Sequence, residues 1–126
     1  MKRYLFLLIV LFATGIASAQ QREASITIVG DAVHDFGDIK EADGSATHSF
    51  TILNNGELPL VISRVIASCG CTTPEWTNEP IAPGKTGEVT VTYDTKGRPG
   101  AFVKTISVYS NGKTGNYVLT IKGDVK

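Results

Sequence analysis

Apolar and polar residues alternate with a period of two in short stretches along most of the chain. Ile26 and Ile28 alternate with Ser25 and Thr27, and Phe50 and Ile52 with Ser49 and Thr51. Val89, Val91 and Tyr93 alternate with Thr90 and Thr92, Ile106 and Val108 with Thr105 and Ser107, and Leu119 and Ile121 with Val118, Thr120 and Lys122. Leu60–Ala67 is more continuously apolar and β-branched. A two-residue period over such lengths places one face in a core and the other in solvent, which is the pattern of half-buried strands. Turn formers separate the stretches: Asp43-Gly44, Asn54-Asn55-Gly56, Pro83-Gly84 and Asn111-Gly112. The last of these falls between two strands and predicts a tight connection. No stretch sustains a 3.6-residue apolar period with capping signals. The expectation is an all-β chain, an immunoglobulin-like β-sandwich of about seven strands.

The first 20 residues follow another logic. Lys2 and Arg3 precede the unbroken apolar run Leu5–Phe12, and Ala17-Ser18-Ala19 closes the segment with small residues. A basic start, an apolar centre and an A-x-A end predict a secretory signal peptide over residues 1–19, with the sandwich over 20–126. The run is too short to span a membrane, which takes about 20 residues. Gln20 follows the expected cut where a lipid-anchored variant needs Cys. Removing residues 1–19 from 126 leaves 107, and no membrane span is expected in them. An exported protein, periplasmic or extracellular, is the consequence.

Charge and composition narrow the function. The full chain has 12 basic and 12 acidic residues, so no basic footprint for nucleic acid is present. Loss of Lys2 and Arg3 with the leader leaves 10 basic against 12 acidic residues, a net charge of about −2. The chain accommodates one domain and is too small for a two-domain cofactor enzyme. No cofactor is expected.

The most specific local feature is Ser68-Cys69-Gly70-Cys71-Thr72-Thr73-Pro74. Two Cys in an exported protein ordinarily pair. Extended backbone sets alternate Cβ atoms farther apart than a bridge prefers, although Gly70 relaxes that constraint. A three-residue ring gains only about 1.6 kcal/mol of loop entropy, before any strain is subtracted. Such a bridge is weakly structural and comparatively reducible. Four readings of Cys69 and Cys71 stay open: a structural disulfide, buried thiols, disulfide exchange with a partner, or soft-metal ligation in which His34 or His48 would have to join.

Other candidates are weaker. Asp31, His34, Asp35 and Asp38 lie within eight residues, but their spacing matches no calcium loop, and polar residues flanking Phe36 in a bent edge strand explain them better. Asp35-Phe36-Gly37 matches the kinase magnesium motif by chance, with none of its companion motifs. His48 shares parity with Phe50 and Ile52, which reads as a structural His at the core edge. Neither a nucleophile elbow nor a phosphate cradle is present, so no catalytic or metal residue is assigned and the chain is not expected to be an enzyme. Trp76 is expected as a lid over the core.

Several blocks in order resemble a known family: Asp35-Phe36-Gly37-Asp38-Ile39, Asn55-Gly56 with Pro59-Leu60, Ser68-Cys69-Gly70-Cys71-Thr72 with Pro74, Pro80-Ile81-Ala82-Pro83-Gly84, Gly100-Ala101-Phe102-Val103-Lys104 and Ser110-Asn111. Together they resemble the DUF 1573 family, a domain of unknown function, over about Val33 to Val125. The resemblance implies a secreted or periplasmic bacterial protein with an immunoglobulin-like sandwich and supplies no established activity. The leading expectation is a non-catalytic binding or structural module of the cell envelope, with an envelope protein as its partner. The alternative is a thiol-redox or metal-handling protein acting through Cys69 and Cys71; a hydrolase comes third.

Overall fold

The computed structural model describes residues 22–126, so the expected signal peptide, residues 1–19, lies outside the described residues. Eight strands follow one another: β1 (Ile26–Val29), β2 (Val33–Ile39), β3 (Ser45–Asn54), β4 (Ile62–Ala67), β5 (Thr72–Trp76), β6 (Thr86–Asp94), β7 (Gly100–Ser110) and β8 (Asn116–Val125). One 3-10 turn, Glu41–Asp43, joins β2 to β3. The strands form two four-stranded sheets, ordered β1-β3-β6-β5 and β2-β8-β7-β4. Every pairing is antiparallel except β2 with β8.

The alternation read from the sequence builds the core. Phe50 and Ile52 of β3, Val89, Val91 and Tyr93 of β6, Ile106 and Val108 of β7, and Leu119 and Ile121 of β8 are all buried between the sheets. Each such side chain contributes on the order of 1.5–3 kcal/mol by leaving water.

Two strands escaped the alternation argument as clear strands. In β2, His34 and Phe36 point inward, then a register shift between Asp35 and Asp38 changes the parity so that Ile39 is buried. Gly37 sits in that irregularity at φ +66°, where an L side chain is strained. β5 contains Pro74 and pairs only with β6, in keeping with the confinement of strand Pro to sheet edges. Pro59-Leu60 is not part of β4. Leu60 instead forms an isolated bridge with Ile81, N–H to carbonyl in both directions at 2.9 and 2.8 Å.

The connection from β7 to β8 is longer than expected. It runs through residues 111–115 and is closed by the Ser110 N–H donating to the Gly115 carbonyl. Asn111 does not serve a two-residue turn. Its side chain donates to the Pro59 carbonyl at 3.1 Å and accepts from the Val61 N–H at 2.7 Å, tying this loop to the start of β4.

Candidate functional site

Ser68 to Cys71 forms the corner where the chain leaves β4, the edge of one sheet, and enters β5, the edge of the other. Both ends of the corner are fixed by backbone. The Ser68 N–H donates to the Thr105 carbonyl at 2.9 Å, and the Ser68 hydroxyl accepts from the Thr105 N–H at 3.1 Å. On the other side the Asp94 N–H donates to the Cys71 carbonyl at 2.8 Å, and the Thr72 N–H to the Cys69 carbonyl at 3.2 Å. Between these anchors the corner draws Cys69 and Cys71 together as a bridged pair with Cα atoms 5.3 Å apart.

The two sulfurs have different surroundings. Cys71 is 4% exposed and belongs to the core, with the Thr72 hydroxyl 3.6 Å from its Sγ. Cys69 is only partly buried, and its Sγ accepts the Cys71 N–H at 3.0 Å. A hydrogen bond to sulfur favours the thiolate over the thiol. Gly70, between them, is exposed, and no atom lies within 4 Å of the place its Cβ would take. One face of the corner is therefore open to an approaching chain.

The two His form a separate cluster. His34 of β2 and His48 of β3 stack on each other, ring centroids 3.6 Å apart and planes 7° from parallel. Each is edge-on to a Phe of its own strand, His34 to Phe36 at 4.6 Å and His48 to Phe50 at 4.7 Å. Asp31, Asp35 and Ser49 line the same open cleft of about 420 Å³. Burial, and secondarily the neighbouring His34, push the His48 pKa below its usual value, because both disfavour the imidazolium. The stack joins the two sheets at one side of the sandwich and leaves His48 at the core edge, where its parity put it.

Among the described residues, no set of three or more His, Cys, Asp and Glu side chains converges as a metal site, so neither His joins Cys69 and Cys71 in one. Asp35 accepts the Gly37 N–H at 2.8 Å and so braces the β2 irregularity. Asp124 lies 3.2 Å from the Lys126 ammonium. Trp76 packs partly on the core and with its other side lines a shallow hollow beside Pro74, Glu75 and Asn78.

Two features were not anticipated from sequence. Asn54, read as a turn former, is fully buried and makes four hydrogen bonds. The outer face of the β2-β8-β7-β4 sheet exposes Ile66, Val103, Val118 and Val33. Ile66 and Val118 lie in one cross-strand row on either side of Ser107, and Val33 continues the next row beyond Thr105 and Thr120. The available signal was Val118 itself, an apolar residue at solvent parity between Tyr117 and Leu119.

Comparison with known proteins adds the following. A family described as "Protein of unknown function (DUF1573)" matches residues 27–125. No curated protein matches the chain in sequence. A protein of unknown function from Porphyromonas gingivalis W83 superposes with a TM-score of 0.69 at 17% identity, over 88% of this chain and 51% of that one. The secreted serine protease VesC from Vibrio cholerae gives 0.58 at 17% identity, over 80% of this chain and 23% of that one. The ASH/PapD-like domain of human CEP192 gives 0.66 at 7% identity, over 87% of this chain and 91% of that one. The chain thus spans about half, and about a quarter, of the first two. At these identities the likeness establishes the immunoglobulin-like fold and nothing further.

Proposed function

The chain belongs to the DUF1573 family of proteins of unknown function, and from that premise we propose that it is an exported, non-catalytic module of the bacterial cell envelope that acts by binding another envelope protein. The carrying observation is the outer sheet face. Ile66 and Val118 are 47% and 49% exposed in one row, Val103 is 66% exposed nearby, and small hydroxyl residues lie between them. Exposed apolar groups gathered on one face, rather than scattered singly, mark interaction surfaces. The chain matches the CEP192 PapD-like domain over 91% of that domain, which supports a single-domain sandwich. The VesC match spans 23% of that protease and, at 17% identity, carries the fold alone.

The test is site-specific photo-cross-linking in intact cells. A cross-linker at position 118 is expected to give one discrete adduct with an envelope protein. The substitution Ile66→Lys is expected to abolish it without lowering thermal stability. The proposal fails if no adduct forms in the exported fraction, or if the adduct is indifferent to Ile66→Lys.

A second reading is favoured by the unequal surroundings of the two sulfurs: thiol–disulfide exchange through Cys69 and Cys71. Metal handling by the same pair lacks a third ligand among the described residues.

A further inference from the structure

The asymmetry of the Cys corner gives the pair a direction. We propose that the Cys69–Cys71 bridge is a disulfide donor to protein dithiols, with Cys69 the sulfur that is attacked and Cys71 the buried leaving group. This rests on the thiol-exchange reading above. Cys69 is partly exposed beside open space at Gly70, whereas Cys71 is closed into the core at 4% exposure, so an incoming thiolate reaches only Cys69.

The chemistry balances in two steps. A partner thiolate attacks Cys69 Sγ; the bond from Cys69 to Cys71 breaks, and its electron pair leaves on Cys71 Sγ. The Thr72 hydroxyl, 3.6 Å away, is placed to hydrogen-bond that sulfur, which takes up the proton released by the partner thiol. The partner's second thiolate then attacks its own sulfur in the mixed disulfide. The partner disulfide forms and Cys69 is expelled as a thiolate, beside the Cys71 N–H that donates to the same Sγ at 3.0 Å in the bridged form. The partner loses two electrons and two protons; the Cys pair gains both electrons and, on Cys71, one proton, and the other proton goes to solvent while Cys69 stays a thiolate.

Two features favour this direction over reduction of a partner. The Cys71 N–H stabilises the reduced form through the Cys69 thiolate. The three-residue ring gives the oxidised form little loop entropy to hold it closed. The corner is moreover pinned at Ser68 by Thr105 and at Cys71 by Asp94, so the reduced sulfurs stay adjacent and the bridge can be remade.

The protein is purified without reductant and incubated either with a reduced dithiol peptide or with reduced glutathione. After acid quenching, free thiols are alkylated and assigned to Cys69 or Cys71 by fragment mass spectrometry. The dithiol peptide is expected to become oxidised as two thiols appear on the protein. In the fully reduced protein, brief alkylation is expected to modify Cys69 at least about tenfold faster than Cys71. With a monothiol peptide supplied as its 2-thiopyridyl disulfide, Cys71→Ser is expected to be trapped as a mixed disulfide through Cys69 with release of 2-thiopyridone, and Cys69→Ser to trap none. Cys71→Ala replaces Cys71→Ser if near-UV circular dichroism shows the latter misfolded. Equal alkylation rates, or equal trapping by Cys69→Ser, overturn the assignment of Cys69 while leaving exchange intact. Reduction by glutathione with the peptide left reduced overturns the dithiol as substrate class. A bridge that resists both reagents overturns the thiol-exchange reading itself.

Discussion

Asn54→Ala removes the most connected side chain of the sandwich. Asn54 is 0% exposed at the end of β3. Its Nδ2 donates to the Leu58 and Ile81 carbonyls, both at 2.8 Å, and its Oδ1 accepts from the Gly56 N–H at 3.0 Å and the Ser25 N–H at 3.4 Å. That uses the full capacity of an amide, two donors and two acceptors. Truncation strands the Leu58 carbonyl and the Gly56 and Ser25 N–H groups at once, while the Ile81 carbonyl keeps the Leu60 N–H, and each buried orphan costs on the order of 1–3 kcal/mol. Water can reach the more exposed Leu58 and Gly56 end, so the expected loss is about 3–5 kcal/mol rather than the full sum. A domain of this size holds only some 5–15 kcal/mol in total. Asn54→Asp should be at least as damaging, because both donors become lone pairs facing carbonyls and the site must bury a charge. Urea unfolding followed by Trp76 fluorescence, extrapolated linearly, measures the change, and an unchanged m-value assigns it to the folded state. Thr47→Ala is the control: it breaks an exposed hydroxyl pair with Thr92 and should cost under about 0.5 kcal/mol. An Asn54→Ala protein within about 1 kcal/mol of the parent would refute the reasoning.

Other outcomes follow from the same geometry. Gly56→Ala should destabilise strongly, since its Cβ would run into the backbone of Glu23, Ala24 and Ser25; thermal unfolding should show a large drop. The depressed His48 pKa means that the unfolded chain binds the proton more readily than the folded one. Stability should therefore fall as pH drops below the usual His value of 6.5 and level off once it passes the folded value. Denaturation series across that range should show the slope reduced in His48→Gln. Reducing the Cys69–Cys71 bridge should cost no more than about 1.6 kcal/mol, measured by urea unfolding with and without reductant, because the ring it opens is so short.

Much of the sandwich was legible because its central strands obey a strict period of two. Val89, Val91 and Tyr93 in β6, or Leu119 and Ile121 in β8, leave one choice of buried face. The edges were less legible for physical reasons. β2 breaks its own alternation at Gly37, and β5 carries Pro74 where a central strand could not. Asn54 was read by residue type as a turn former, and only the fold shows that two loops and the β1 approach converge on its amide. Cys69 and Cys71 were recognisable from spacing alone. Their inequality was not, since nothing in Cys-Gly-Cys says which sulfur faces the core. His34 and His48 are 14 positions apart, and their stacking depends on the contact between β2 and β3 across the two sheets.

The exported sandwich with a working sulfur pair is tested most directly by the intact mass of the protein taken from cells by acid quenching and alkylation. The account predicts a chain beginning at Gln20, two hydrogens lighter than the dithiol form and carrying no alkyl group. A chain that still carries residues 1–19, with both Cys69 and Cys71 alkylated, would contradict it.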